Sequence, residues 1–167
     1  MKPEEIAKSI IEASRYLSLS TTDGQQPWVN AVFFAHDKDY NLYFTSYNDS
    51  LHVQSIMKNP NVAVAIFDSH IVPGSGRGQG VQIKATCHRV TGDDLPFAIE
   101  VIYTKRFTDP KERSSRDLSP EHFSKGDSDG RTDHIYKITP EKIYIIDKTP
   151  GVKDTRIEVR FPKNGVK

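Results

Sequence analysis

The sequence has a single cysteine, Cys87, so no disulfide can form within the chain, and this favours a cytoplasmic location. Lys and Arg number 23 against 22 Asp and Glu, which leaves a net charge of +1. This balance gives no electrostatic basis for binding nucleic acid or an anionic membrane. The chain also lacks a long apolar run, and acidic residues precede the first apolar ones. We therefore expect neither a signal peptide nor a transmembrane helix.

The sequence also lacks the usual motifs of nucleotide and zinc sites. Gly74, Gly76, Gly78 and Gly80 alternate without the GxGxxG spacing, and a predicted strand follows them, which argues against a Rossmann domain. The six histidines show neither HExxH spacing nor a CxxC partner, so we expect no zinc site. Cys87 alternates with apolar residues and is interpreted as a buried core residue rather than a nucleophile.

What the sequence does contain is many short apolar segments with strand periodicity. The predicted strands cover residues 16–21, 27–35, 42–45, 62–67, 80–89, 133–138, 142–146 and 155–159. The predicted helices cover residues 3–14, 50–58 and 92–106, with one helical turn starting at 119–121. Short connections favour a small antiparallel barrel over a parallel α/β sheet. We expect one domain over 1–167, with its barrel core at 16–147, a long loop or lid at 107–130 and a tail at 160–167.

The most informative stretch runs from Asn41 to Ala85 and predicts a strand, a short helix, a strand, a glycine-rich loop and another strand. Val53, Ile56 and Met57 have the spacing of one apolar helix face. Small polar residues collect where the first strand meets the helix, namely Thr45, Ser46, Tyr47, Asn48, Asp49, Ser50 and His52. Hydroxyl groups beside a helix N-terminus predict an anion site.

These features occur in an order that resembles the FMN-binding split barrel of the pyridoxamine 5'-phosphate oxidase-like superfamily. The matching features are a T-x-x-G-x-x-P turn at Thr21–Pro27, V-x-x-V-x-F at Val29–Phe34, LYFT at Leu42–Thr45, a helix starting at Ser50, NPNVAV at Asn59–Val64 and GVQI at Gly80–Ile83. The resemblance covers residues 16–90 well and the later part loosely. It implies a mainly β fold, a six-stranded antiparallel split barrel with flanking helices, that forms a homodimer with FMN clefts at the interface.

The resemblance also implies eight cofactor-binding positions. They are Asn30, Val32, Thr45, Ser46, Ser50, His52, Gln79 and Gln82. The first two would back the isoalloxazine ring through main-chain groups, and the next two would approach the phosphate or the ribityl chain. The serine and histidine at the helix start would replace a Ser-Arg-Lys turn that grips the phosphate. The two glutamines would meet the ring edge or the ribityl hydroxyls.

The sequence departs from the oxidase pattern at its basic positions. The oxidase has basic residues near the positions of Asn30, Ala35, Leu51 and His52, and here only His52 can become cationic. This argues against a true pyridoxamine phosphate oxidase. The resemblance implies instead an FMN-dependent oxidoreductase of unknown substrate, with no catalytic residue identified.

Alternatives to this interpretation remain open at the level of the sequence. A non-catalytic flavin or haem carrier, or a sensor, could use the same barrel, and haem or a deazaflavin could replace FMN. His52 could be an exposed helix residue, and Trp28 could pack at the dimer interface. Arg77 and Arg106 could bind an anionic substrate, although surface arginines are the commoner case.

Overall fold

The computed structural model describes residues 1–67, 79–125, 133–149, 151 and 155–161. The helices are α1 Pro3–Ala13, α2 Leu51–Lys58, α3 Leu95–Arg106, α4 Pro110–Ser114 and α5 Pro120–Ser124. The strands are β1 Tyr16–Thr22, β2 Pro27–Phe33, β3 Ala35–His36, β4 Leu42–Tyr47, β5 Asn61–Phe67, β6 Gly80–Arg89, β7 Asp133–Ile146 and β8 Arg156–Val159. None of the helices found in these ranges combines the length and apolar character that crossing a membrane requires.

The strands form one antiparallel sheet that curls into a split barrel, which confirms the predicted fold class. Its order is β2-β1-β5-β6-β7-β4-β3, and β8 pairs with β7. The described residues contain eight strands, however, where the resemblance implied six. One reason is a break at Phe34, whose amide donates to the Arg15 carbonyl at 3.1 Å. The predicted strand 27–35 therefore becomes two strands, β2 and β3.

The sequence prediction was wrong at β7, which is one continuous strand rather than two. Pro140 was expected to separate strands 133–138 and 142–146, but it lies within β7 and pairs with Ala85. The register between β6 and β7 shifts at Lys84 and Ala85. Such an irregularity can accommodate a proline, which cannot donate to a regular ladder. The N-terminal half of β7 consequently pairs with β4, and its C-terminal half pairs with β8.

Two apolar clusters stabilise the barrel. The larger cluster fills the interior and includes Leu19, Phe44 and Cys87, each 0% exposed, so Cys87 is a core residue as predicted. The smaller cluster lies on the outer face of β4 and β7, where α3 covers Tyr43 and Ile135. The described part of the predicted lid, residues 107–125, packs on this second cluster through Phe107, Leu118 and the α5 residue Phe123. Residues 126–130 of the lid and 162–167 of the tail lie outside the described residues.

The register of α2 differs from the predicted one. Val53 and Ile56 are buried as expected, but Met57 is 70% exposed and His52 is only 6% exposed. Position 52 thus occupies the inward face that the sequence pattern assigned to position 57. A histidine can be buried there because a neighbouring hydroxyl satisfies its ring nitrogen.

Candidate functional site

The C-terminal end of β4 carries polar side chains on both faces of the sheet. Successive residues of a strand point in opposite directions, so Thr45 and Ser46 cannot face the same ligand with their side chains. Thr45 shares the outer face with Tyr43, whose side chain α3 covers. Ser46 shares the inner face with Phe44 and is 9% exposed. The two hydroxyls that the sequence assigned to one contact region therefore serve two different environments.

On the inner face, Ser46, Ser50 and His52 form a hydrogen-bonded cluster. The Ser46 Oγ lies 2.9 Å from both the Ser50 Oγ and the His52 Nε2. The phenyl ring of Phe44 packs beside the imidazole, with centroids 6.1 Å apart. Burial lowers the pKa of His52 below its ordinary value. The imidazole is therefore neutral at neutral pH and cannot supply the positive charge that the sequence analysis sought there.

At the start of α2, no capping side chain accepts a hydrogen bond from the main-chain amides. Ser50 occupies the N-cap position, as predicted, but it makes no side-chain hydrogen bond to the helix. Its Oγ instead donates to the Tyr47 carbonyl at 2.7 Å. The first-turn amides of a helix carry partial positive charge and bind anions when no side chain occupies them. This end of α2 can therefore accept an anionic oxygen without a cation of its own.

The buried imidazole gives a prediction for the pH dependence of stability. The unfolded chain binds a proton at His52 with a pKa near 6.5, and the folded chain does so only at lower pH. The free energy of unfolding should thus be highest above this pH and should decrease as the pH falls through the folded pKa. The variant His52→Gln keeps a hydrogen-bonding side chain but does not titrate. Its free energy of unfolding should therefore decrease less than that of the parent protein over the same pH range. Urea unfolding at about pH 5 and about pH 8 tests this, and an equal decrease in both proteins would contradict it.

On the outer face, the structure provides a cation that the sequence did not place. The Arg106 Nη1 donates to the Thr45 Oγ1 at 3.2 Å, from the last turn of α3. Its guanidinium carbon lies 5.8 Å from the ring centroids of both Phe33 and Phe107. A second guanidinium, that of Arg116, lies 4.6 Å from the Phe107 ring. Arginine, hydroxyl and aromatic groups therefore meet where β4 ends.

Lys105 fixes the end of α3 in this position. Its Nζ donates to the Ser14 carbonyl at 3.1 Å and lies 4.7 Å from the Phe34 ring centroid. Burial lowers the pKa of this amine, and the charge on Glu12 opposes that effect. Because Lys105 is directed towards the body of the barrel, the adjacent Arg106 side chain is left to reach Thr45.

Strand β2 presents an exposed apolar face next to this arginine. It is an edge strand of the described sheet, so half of its main-chain groups face away from β1. Val29 is 61% exposed on the outer face. Val32 is 8% exposed and points into the core, so it can meet a ligand only through its main chain. The Asn30 Oδ1 accepts a hydrogen bond from the Trp28 Nε1 at 3.3 Å.

The two predicted glutamines lie on β6 or just before it, apart from the end of β4. Gln82 is exposed on the outer sheet face, and its Oε1 accepts from the Arg156 Nε at 2.7 Å. It lines a shallow groove of about 580 Å³ together with Val29. Gln79 is half-buried. Residues 68–78, which include Arg77 and most of the glycine-rich loop, lie outside the described residues.

The eight predicted positions thus divide among several environments, and their contact with a cofactor stays a prediction. The structure brings together Ser46, Ser50 and His52, and it pairs Thr45 with Arg106 instead. The sequence signal for this arginine was the pair of basic residues, Lys105 and Arg106, in the last turn of a predicted helix. Only the packing of α3 shows that Arg106 is the one that reaches β4. Among the described residues, no group of three or more His, Cys, Asp or Glu could hold a metal ion.

Solved structures with the same fold include proteins of different kinds. A haem-binding protein from Mycobacterium smegmatis has a TM-score of 0.68 and 14% identity, covering 95% of this chain and 59% of that protein. The haem storage protein HutZ from Vibrio cholerae has a TM-score of 0.63 and 17% identity, covering 87% and 95%. A pyridoxamine 5'-phosphate oxidase homologue from Listeria innocua has a TM-score of 0.56 and 22% identity, covering 86% and 97%. At these identities the similarities show the fold alone.

The family comparison is more specific than the structural one. No protein in a search of curated proteins matches this chain. A family model described as pyridoxamine 5'-phosphate oxidase matches residues 3–147, which include the whole of the barrel from β1 to β7. The chain therefore belongs to the pyridoxamine 5'-phosphate oxidase-like superfamily of split barrels.

Proposed function

We propose that this protein is an FMN-binding flavoprotein that acts as an oxidoreductase on a substrate still to be identified. The observation that carries the proposal is the Arg106 guanidinium 3.2 Å from the Thr45 hydroxyl at the end of β4. An FMN phosphate carries up to about two negative charges. A guanidinium beside a hydroxyl offers such an anion one charged donor and one neutral donor.

The surrounding residues also fit the rest of the cofactor. The Phe33 ring and the exposed face of β2 offer an apolar surface of the kind that a flavin ring packs against. The outward main-chain groups of β2 can hydrogen-bond the ring edge, which is the role predicted for Asn30 and Val32. When bound, FMN supplies the redox chemistry. The protein contributes orientation, charge at the phosphate and exclusion of water from the ring.

A homodimer would complete the cofactor cleft. The outer face of β1, β2 and β5 exposes large apolar side chains, with Tyr16 63%, Val29 61% and Phe67 61% exposed. Small residues lie between them, including Ala63 and Ala65. A wide apolar face on one side of a sheet is typical of a surface that another protein covers. We propose that a second copy of the chain packs here and closes the cleft over the flavin ring.

Light scattering coupled to size-exclusion chromatography tests the dimer. The purified protein should have the mass of two chains. The variant Ala65→Glu places a charge in this face opposite the neutral Gln82 and should have the mass of one chain, because burying a charge opposes association. The control Ser114→Glu adds the same charge on α4, which contributes no strand to this face, and should remain dimeric. A monomeric parent protein would overturn the proposed interface.

Absorbance and oxidation assays test the function itself. The protein should be purified with, or should take up, a flavin that denaturation releases, and it should then oxidise NADH or NADPH or accept electrons from another donor. Stable flavin binding without turnover of any donor would favour a carrier or sensor. A colourless protein that does not quench FMN fluorescence would remove the proposal.

A haem carrier is the second candidate, because two of the proteins with this fold are described as haem-binding and haem-storing. A Soret band after haem addition, with no quenching of FMN fluorescence, would favour this function. A deazaflavin remains a further cofactor candidate, and its own fluorescence distinguishes it from FMN. A location in the cytoplasm stays a prediction that rests on the single cysteine.

A further inference from the structure

A second cavity lies at the other end of β4 from Arg106. Its volume is about 450 Å³, and it is bounded by the turn at 37–41, the end of β6 and the start of α3. Tyr43 lines it and is 2% exposed. The tyrosine hydroxyl donates to the Asp37 Oδ2 at 3.0 Å. Asp37 also accepts from the Asn41 side chain and from two main-chain amides, so it is fully used in holding this wall in place.

Groups of opposite charge lie around the Tyr43 ring. Burial raises the pKa of Tyr43, and the charges on Asp37, Asp94 and Asp39 add to this effect; the last two also line the cavity. Lys137 lies over the ring, with its Nζ 5.9 Å from the Tyr43 ring centroid. His88 is directly opposite Lys137 in the pairing of β6 with β7.

These charges are not neutralised by one another. None of the ion pairs that the described residues form includes Asp39, Asp94 or Lys137. The two carboxylates and the Lys137 ammonium group therefore face one concave space without pairing across it, which leaves both signs available to a ligand, and the His88 imidazole adds a hydrogen-bonding group. Small-molecule sites commonly combine an apolar wall with a few convergent polar groups of this kind.

The apolar wall is the Phe97 ring. Phe97 is 53% exposed, and its ring lies edge-on to the Tyr43 ring with centroids 6.4 Å apart. An exposed aromatic side chain at the mouth of a charged cavity can stack on an aromatic ring of a ligand.

We propose that this cavity binds a small zwitterion, an amino acid with an aromatic side chain. Its ammonium group faces Asp39 and Asp94, its carboxylate faces Lys137 and His88, and its ring packs on Phe97. Each charge of the ligand then meets the opposite charge, whereas a simple anion or cation would meet only one. The site is separate from the proposed flavin cleft and stands whether or not FMN binds.

Calorimetric titration of the full-length protein with L-phenylalanine tests the inference. We expect saturable binding with a dissociation constant of about 1 mM or lower. Phenethylamine lacks the carboxylate and 3-phenylpropionate lacks the ammonium group, so each should bind at least about tenfold more weakly. Absence of saturation by L-phenylalanine, or equal binding of either analogue, would overturn the proposal.

Variants locate the binding. Lys137→Gln and Asp94→Asn each remove one charge, of opposite sign, from the cavity lining, and each should weaken L-phenylalanine binding by about tenfold. Lys142→Gln is the matched control, because Lys142 lies on the same strand and pairs with Glu158 outside the cavity. Neither Lys137 nor Asp94 is buried, so we expect both variants to fold. Far-ultraviolet circular dichroism checks this. Equal weakening by the control and the cavity variants would place the binding elsewhere and contradict the proposal.

Discussion

Replacing Arg106 by alanine should weaken FMN binding by about 10- to 150-fold. The substitution removes a charge-assisted hydrogen bond, which contributes about 1.5–3 kcal/mol. The Arg106 Nη1 already lies 3.2 Å from the Thr45 Oγ1, so the guanidinium is held where the phosphate would bind. Quenching of FMN fluorescence during titration with protein measures the dissociation constant of each variant.

Two further variants make this result specific. Arg106→Lys keeps the positive charge but loses the planar donor pair, so its affinity should fall between those of the parent protein and Arg106→Ala. Arg160→Ala removes an arginine whose side chain is 90% exposed, and it should bind FMN as the parent does. If Arg106→Ala binds FMN with unchanged affinity, the phosphate does not lie at Thr45.

Replacing Ile56 by alanine should lower the free energy of unfolding by about 2–4 kcal/mol, whereas Met57→Ala should change it by less than about 0.5 kcal/mol. Ile56 is 5% exposed and packs in the barrel core, and Met57 is 70% exposed on the adjacent position of α2. Deleting buried methyl groups loses transfer energy and leaves a cavity, while an exposed methionine loses little.

The pair of variants tests the rotation of α2 about its axis. Urea unfolding followed by circular dichroism gives both free energies under the same conditions. This rotation matters for the site because it also buries His52 against Ser46. Comparable losses in the two variants would mean that α2 presents both residues to the core, as the sequence spacing predicted, and that His52 faces outward.

The sequence predicted the strands of the barrel well wherever one face is buried. The bounds of β6 follow from the alternation of Val81, Ile83, Ala85 and Cys87, all of which are buried. The helix start at Ser50 follows from its position before an apolar segment. Both signals are local, since they need only the period of the element and the residue at its end.

The errors arose where long-range packing overrides a local signal. Pro140 is a strand breaker in isolation, yet β7 continues through it because the register shifts there, with Pro140 opposite Ala85 and Lys142 opposite Lys84. His52 is a polar residue at an expected surface position, yet it is buried because Ser46 satisfies it from another element. Such outcomes depend on which partner a segment meets in the folded chain.

The candidate site shows the same limit. The resemblance indicated the end of β4 as the phosphate side, and the structure places hydroxyls and the start of α2 there. It could not indicate Arg106, because that residue lies 61 positions away from Thr45 and comes from the less similar part of the chain. The missing cation was therefore expected at Leu51 or His52. Leu51 is exposed and apolar, and the buried His52 imidazole is neutral.

The most direct test of a flavin phosphate site at the end of β4 is a titration of FMN with the purified, unmodified protein, monitored by flavin fluorescence. We expect saturable quenching with one FMN bound per chain. Inorganic phosphate should weaken the binding by competing for Arg106 and Thr45. No quenching at any protein concentration, or quenching that phosphate leaves unchanged, would contradict the claim that the end of β4 is a flavin phosphate site.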